Sequence, residues 1–89
     1  MLIISTDGIA VYPLWNGKVE TAIKEFSKVR NTLSRNMGVA AVLPGQLLDL
    51  NEMDLLEEHG LLVIEVPYNM KDVSAINLAD FIDQQVACI

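Results

Sequence analysis

The sequence predicts a small α/β domain, with an α+β arrangement as the alternative. Short β-prone apolar runs alternate with segments whose apolar residues recur at helical spacing. Turn residues separate these segments, and a chain of 89 residues has room for a single domain only. For residues 1–89 we therefore predict a mixed sheet of roughly three or four strands, in the order β(β)αβαβα, packed by about three helices.

The chain opens with a predicted β-hairpin. The dipeptide Asp7-Gly8 lies between two β-prone segments, residues 2–6 and 9–12, and Asp-Gly is a preferred hairpin turn. The alternative is that only residues 2–6 form a strand. Pro13 lacks a backbone N–H, so we expect it to mark an edge strand or to end the second strand.

A helix over residues 18–36 is the clearest predicted element. Its apolar residues recur at spacings of three and four. We predict Asn16 or Gly17 as its N-cap, and Asn36 with Gly38 as its C-terminal stop. The predicted stripe consists of Val19, Ala22, Ile23, Phe26, Val29, Leu33 and Met37.

The second half of the chain predicts a strand, a helix, a strand and a helix. Residues 39–43 and 61–66 are continuous apolar runs of the kind found in buried parallel strands. Between them we predict a short helix with Asn51 as N-cap and Gly60 just past its end. The last helix, over residues 73–87, is predicted to begin at Asp72 or Ser74. Its predicted buried stripe is Val73, Ile76, Ala79, Ile82 and Val86, widened by Leu78 and Phe81.

Catalytic and metal-binding signatures are not found in the sequence. It has no phosphate loop and no dinucleotide-binding glycine pattern. Cys88 is the only cysteine, which excludes an internal disulfide and a dithiolate metal site. The only histidine, His59, ends a predicted helix, where its ring suits a capping role. We therefore predict no cofactor, no metal and no enzymatic activity.

Charge is distributed unevenly along the chain. Residues 1–45 carry net +2 and residues 46–89 net −8, which gives the total of −6. Phosphate contacts need Lys and Arg, so the acidic half argues against direct nucleic-acid binding and favours a partner with a basic surface. No apolar run reaches the roughly 20 residues of a membrane span, and no secretory leader is evident. With one cysteine, this pattern predicts a cytoplasmic protein.

These features favour a non-enzymatic protein-interaction module: an inhibitor, an adaptor or a regulatory subunit. Apolar residues make up 52% of the chain, more than a small interior accommodates, so some are expected to face a partner or a second copy. Large aromatic residues in a loop are frequent interface anchors and also frequent lids over a small core. The predicted partner-binding residues are Tyr12, Trp15, Asp49, Glu52, Glu57 and Glu58.

Two alternatives stay open. The chain is a homo-oligomeric structural module, or it is a small-molecule-binding or enzymatic domain with a loop-edge site around Asp7. The second alternative requires strands 2–6, 39–43 and 61–66 to run parallel, so that the loops after them meet at one edge of the sheet. Asp7 would then act as acid or base, and hydrogen bonds would come from Gln46, Tyr68 and Asn69.

Overall fold

The computed structural model describes residues 2–33 and 36–87. They form a mixed sheet of four strands that lie side by side in chain order, and the prediction of an α/β fold with three main helices is confirmed. Cys88 lies outside the described residues. Among the helices described, none has the length and apolar character needed to cross a membrane. The strands are β1 Ile3–Ile4, β2 Ile9–Pro13, β3 Met37–Val42 and β4 Leu61–Glu65; the helices are α1 Val19–Val29, α2 Leu50–Glu58 and α3 Ala75–Ala87.

The predicted hairpin is confirmed. β1 pairs antiparallel with β2, with Ile3 opposite Val11. Gly8 adopts the left-handed conformation (φ 81°) that the tight turn needs. β1 is shorter than predicted, and β2 is an inner strand because it also pairs in parallel with β3. Pro13 is therefore the last residue of an inner strand and does not mark an edge.

Two parallel crossovers follow the hairpin, and their helices form one of the two layers that cover the sheet. β2, β3 and β4 are parallel neighbours, joined in turn by α1 and α2. Both crossover helices pack on the same face of the sheet, and α3 packs on the opposite face. The core beneath α1 and α2 includes Ala10, Tyr12, Ala22, Phe26, Ala40, Val42, Leu56 and Leu61. The core beneath α3 includes Ile9, Val11, Val39, Ala41, Val66, Leu78, Ile82 and Val86.

The first helix is shorter than the sequence predicts. α1 begins after Lys18, which provides no side-chain cap, and it ends at Val29. A 3₁₀ turn, Arg30–Thr32, follows, and the Thr32 hydroxyl donates to the Val29 carbonyl oxygen at 2.7 Å. The Thr32 hydroxyl thereby satisfies one of the carbonyl groups that the end of a helix leaves unpaired. The predicted caps Asn16 and Gly17, and the predicted stop at Asn36 and Gly38, are therefore wrong.

The second helix begins at a reciprocal capping box. The Asp49 carboxylate accepts from the Glu52 backbone N–H at 2.7 Å, and the Glu52 carboxylate accepts from the Asp49 N–H at 3.3 Å. Asp49, not the predicted Asn51, is therefore the N-cap. The other end agrees with the prediction, because His59 is the C-cap and Gly60 follows with φ 84°.

The third helix begins two residues later than predicted. A 3₁₀ turn, Tyr68–Asp72, precedes it, and the Ser74 hydroxyl oxygen accepts from the Asn77 N–H at 3.3 Å, so Ser74 is the cap. Val73 lies before the helix, and Ile76 is 73% exposed. The predicted stripe is therefore wrong at Ile76, whereas Leu78, which was predicted to widen the stripe, is buried against the sheet.

Candidate partner-binding site

A groove of about 380 Å³ opens at the carboxyl edge of the parallel strands. The loop after β2 and the start of α1 form one wall, and the loop after β3 with the start of α2 forms the other. Ligand sites of open parallel sheets are found at this edge. The groove is lined by Leu14, Lys18, Gln46, Leu48, Glu52 and Leu55, among others.

The loop after β3 directs the Leu47 side chain towards solvent. The Gln46 N–H donates to the Leu43 carbonyl oxygen, and the Leu43 N–H donates to the Gln46 side-chain oxygen, each at 3.0 Å. Gly45 takes φ 80° in this turn, a conformation that glycine adopts without steric cost. The chain leaves the turn with Leu47 at 91% exposure.

Two leucines of α2 extend this apolar area. Leu50 is 77% exposed and Leu55 is 37% exposed, whereas Leu56 is the one residue of α2 that is fully buried. Leu47 and Leu55 line the groove and Leu50 begins the adjoining helix. Exposed leucines this close together in the chain, two of which line one groove, are a feature of interaction sites, whereas scattered ones are not.

Carboxylates surround these leucines. Residues 46–58 contain five acidic side chains and no Lys or Arg. Asp49 and Glu52 cap the helix start, where negative charge is favoured by the helix dipole. We call the set Leu47, Leu50, Leu55, Asp49, Glu52 and Asp54 the leucine–acid surface. Glu57 and Glu58 lie at the far end of α2 and are exposed.

The two aromatic candidates are not part of this surface. Tyr12 is 1% exposed and belongs to the core beneath α1. Burial, and secondarily the charge of Glu25, raises the pKa of the Tyr12 phenol. Trp15 is half-buried and packs against the core on the α3 face. In this fold, then, Tyr12 presents no side chain to a partner, and Trp15 lies in the opposite layer.

The four ligand-binding candidates do not come together. The first strand runs antiparallel to its neighbour, so the expectation of three parallel strands including residues 2–6 is wrong. Asp7 consequently lies in the hairpin turn beside the start of β2, at the edge opposite Gln46. Tyr68 and Asn69 lie in the 3₁₀ turn after β4, where the Tyr68 hydroxyl accepts from Lys71 at 2.7 Å.

The leucines were missed by the sequence analysis, which named no leucine among the partner-binding residues. Leu50 and Leu55 are nevertheless exposed in the folded chain. A signal for the surface does exist in the sequence. Residues 47–56 contain five leucines, more than one side of a short helix can bury.

Other chemistry at the site is limited to hydrogen bonds and charge. Within residues 2–33 and 36–87, no group of three or more His, Cys, Asp or Glu side chains is arranged to hold a metal ion.

Comparison with family models, curated proteins and solved structures finds no significant match for this chain. The evidence on function is therefore the geometry and chemistry of the site.

Proposed function

We propose that this chain is a non-enzymatic protein-interaction module whose leucine–acid surface binds an apolar, positively charged segment of a partner protein. The observation that carries the proposal is the exposure of Leu47 and Leu50, at 91% and 77%, beside a groove and among carboxylates. Acting as an inhibitor, adaptor or regulatory subunit, the chain would occupy that segment. Its single cysteine favours a cytoplasmic setting for this interaction.

Burial of the leucines supplies the affinity. A leucine side chain transferred fully from water to an apolar site contributes about 1.5–3 kcal/mol. Folding buries little of the Leu47 and Leu50 side chains. Most of this free energy is therefore gained only when a partner covers them. The groove beside them gives a partner's own apolar side chain a concave place to dock.

The carboxylates determine the sign of the charge that a partner segment should carry. Asp54, which is exposed, and the capping pair Asp49 and Glu52 place negative charge around the leucines. A basic segment is attracted by this field, and an acidic one is repelled. Because the charges lie mostly at the rim, they raise the association rate and set specificity more than they raise affinity.

A random peptide library selected against the immobilised chain tests the proposal. We expect enrichment of peptides that combine Lys or Arg with large apolar residues. A selected peptide should bind Leu47→Ser/Leu50→Ser at least about tenfold more weakly than the unchanged chain. The matched control is Ile76→Ser, because Ile76 is 73% exposed but lies on α3; binding should be unaffected.

Charge is tested separately from apolar contact. Asp54→Lys should slow peptide association, and added salt should weaken binding of the unchanged chain. The control is Asp80→Lys, at an exposed position of α3. Enrichment of acidic peptides, or equal binding to the double serine variant, would contradict the proposal.

A further inference from the structure

The strand β4 forms an open edge of the sheet. It is last in the strand order, and within residues 2–33 and 36–87 no strand pairs with its outer side. The opposite edge is formed by β1, which has only two residues. β4 has five residues, LLVIE, with no proline or lysine to discourage pairing with another chain.

The backbone N–H and C=O groups of alternate β4 residues point away from the sheet. Val66, just after the strand, donates its N–H to the Val42 carbonyl oxygen at 2.8 Å. Because neighbouring residues of a strand direct their N–H and C=O groups to opposite sides, Ile64 and Leu62 also bond towards β3. The N–H and C=O groups of Leu61, Val63 and Glu65 therefore point away from the sheet.

Beside this edge, the α3 face of β4 is only partly covered. The register places Leu62 beside Val39 and Ile64 beside Ala41, on the α3 side of the sheet. α3 packs over β1 and β2, at the other end of the strand order. Leu62 is consequently 37% exposed, and Ile64 is half-buried.

We propose that two copies of this chain associate through β4, antiparallel and centred on Val63, to form one continuous sheet. In this register Val63 faces Val63 of the second copy, and Leu61 faces Glu65. These are the residues whose backbone groups point outward, so each pair forms the hydrogen-bonded type of antiparallel pair. A register centred on Leu62 or Ile64 would pair only two of the three outward residues of each copy, so it would form fewer hydrogen bonds.

The side chains are self-complementary in the same register. Leu62 lies opposite Ile64 of the second copy, so two half-covered apolar pairs meet on the α3 face. Glu65, the only charge in the strand, faces Leu61 and not a second glutamate. None of the residues of the leucine–acid surface lies in β4, so this association is independent of the proposed partner binding.

Size-exclusion chromatography with light scattering, over a concentration series, tests the association. We expect a dimer at high concentration whose dissociation constant rises at least about tenfold in Leu62→Lys. Leu50→Lys is the matched control, because it adds the same charge to an exposed leucine outside β4. Added salt should strengthen the dimer, since each copy carries a net charge of −6, whereas it should weaken binding of a basic peptide.

Cysteine cross-linking tests the register. Facing residues of a hydrogen-bonded antiparallel pair have Cα atoms about 5.5 Å apart, within disulfide range. In a Cys88→Ser background, Val63→Cys should form a disulfide-linked dimer on mild oxidation, and Leu62→Cys should not. A monomer at every concentration, a dimer broken by Leu50→Lys but not Leu62→Lys, or cross-linking at position 62 alone would overturn the proposal.

Discussion

The helices α1 and α2 occupy the same layer of the fold, yet they use their apolar residues differently. α1 buries Val19, Ala22 and Phe26 against the sheet. α2 buries Leu56 alone and leaves Leu50 and Leu55 exposed. The comparison separates apolar surface that holds the fold together from apolar surface that folding leaves exposed.

Close packing explains the role of α1. The Phe26 ring lies directly on the backbone of Gly38 in β3, where a Cβ would come within 2.8 Å of the ring. The Arg30 guanidinium lies 5.6 Å from the ring centroid, in the range of a cation–π contact. α2 has no equivalent aromatic residue, and its start is stabilised instead by the local capping box.

The largest expected effect is the loss of the α1 anchor. Phe26→Ala should lower the free energy of unfolding by about 3–5 kcal/mol, because it removes a fully buried aromatic side chain and leaves a cavity. Urea unfolding followed by circular dichroism measures the change. Lys24→Ala, at an exposed position of the same helix, is the control. A loss below about 1 kcal/mol would show that α1 is not the main anchor.

The next largest effect on the free energy of unfolding is expected from Gly38→Ala, which adds a methyl group beneath Phe26. Gly38→Ala would bring a Cβ within 2.7 Å of Leu61 and 2.8 Å of Phe26. We expect a destabilisation of about 1–3 kcal/mol from overpacking. The double variant with Phe26→Leu should lose less than the sum of the single changes, since the smaller side chain relieves the overlap. Strict additivity in urea unfolding would mean that the ring does not rest on Gly38.

The capping box gives a smaller effect, specific to α2. Asp49→Ala should destabilise the chain by about 0.5–2 kcal/mol, because the Glu52 N–H loses its acceptor. Asp49→Asn should retain most of the stability, as asparagine is also a good N-cap. Asn51→Ala, at the N-cap that the sequence favoured, should be nearly neutral. Equal losses at positions 49 and 51 would contradict the observed helix start.

Alkaline pH should produce a transition that involves Tyr12. The pKa of its phenol is raised by burial and by Glu25, so the folded chain holds this proton more tightly than the unfolded chain does. The resulting stability is complete below pH ~10 and is lost as the pH rises further. In Tyr68→Phe, where Tyr12 is the only tyrosine, tyrosinate absorbance should appear together with unfolding. Tyrosinate formation in the fully folded chain would contradict the burial of Tyr12.

Much of the fold was accessible from the sequence because local signals agreed with it. The Asp7-Gly8 turn, the Ser74 cap and the glycine after His59 all act through a few neighbouring residues. The end of α1 was not accessible in this way. Leu33 continues the helical spacing, but the chain has already left the helix, and Leu33 reaches the core from the loop.

The candidate site was only partly predictable. The acidic residues Asp49 and Glu52 were identified from charge, and their spacing as a capping box was also readable. The exposure of Leu47 and Leu50 could not be predicted, because a hydrophobic pattern predicts that a residue is buried and gives no sign that it is exposed. Tyr12 failed as a surface candidate for the converse reason: its place on an inner strand depends on long-range pairing.

The most direct test of the central claim compares stability with binding in Leu47→Ser/Leu50→Ser. Both leucines are exposed, so the free energy of unfolding should change by less than about 0.5 kcal/mol per substitution. Fluorescence anisotropy with a library-selected basic peptide should show binding weakened at least about tenfold. Unchanged stability with weakened binding is the predicted result. Destabilisation with unchanged binding would show that these leucines serve the fold and not a partner.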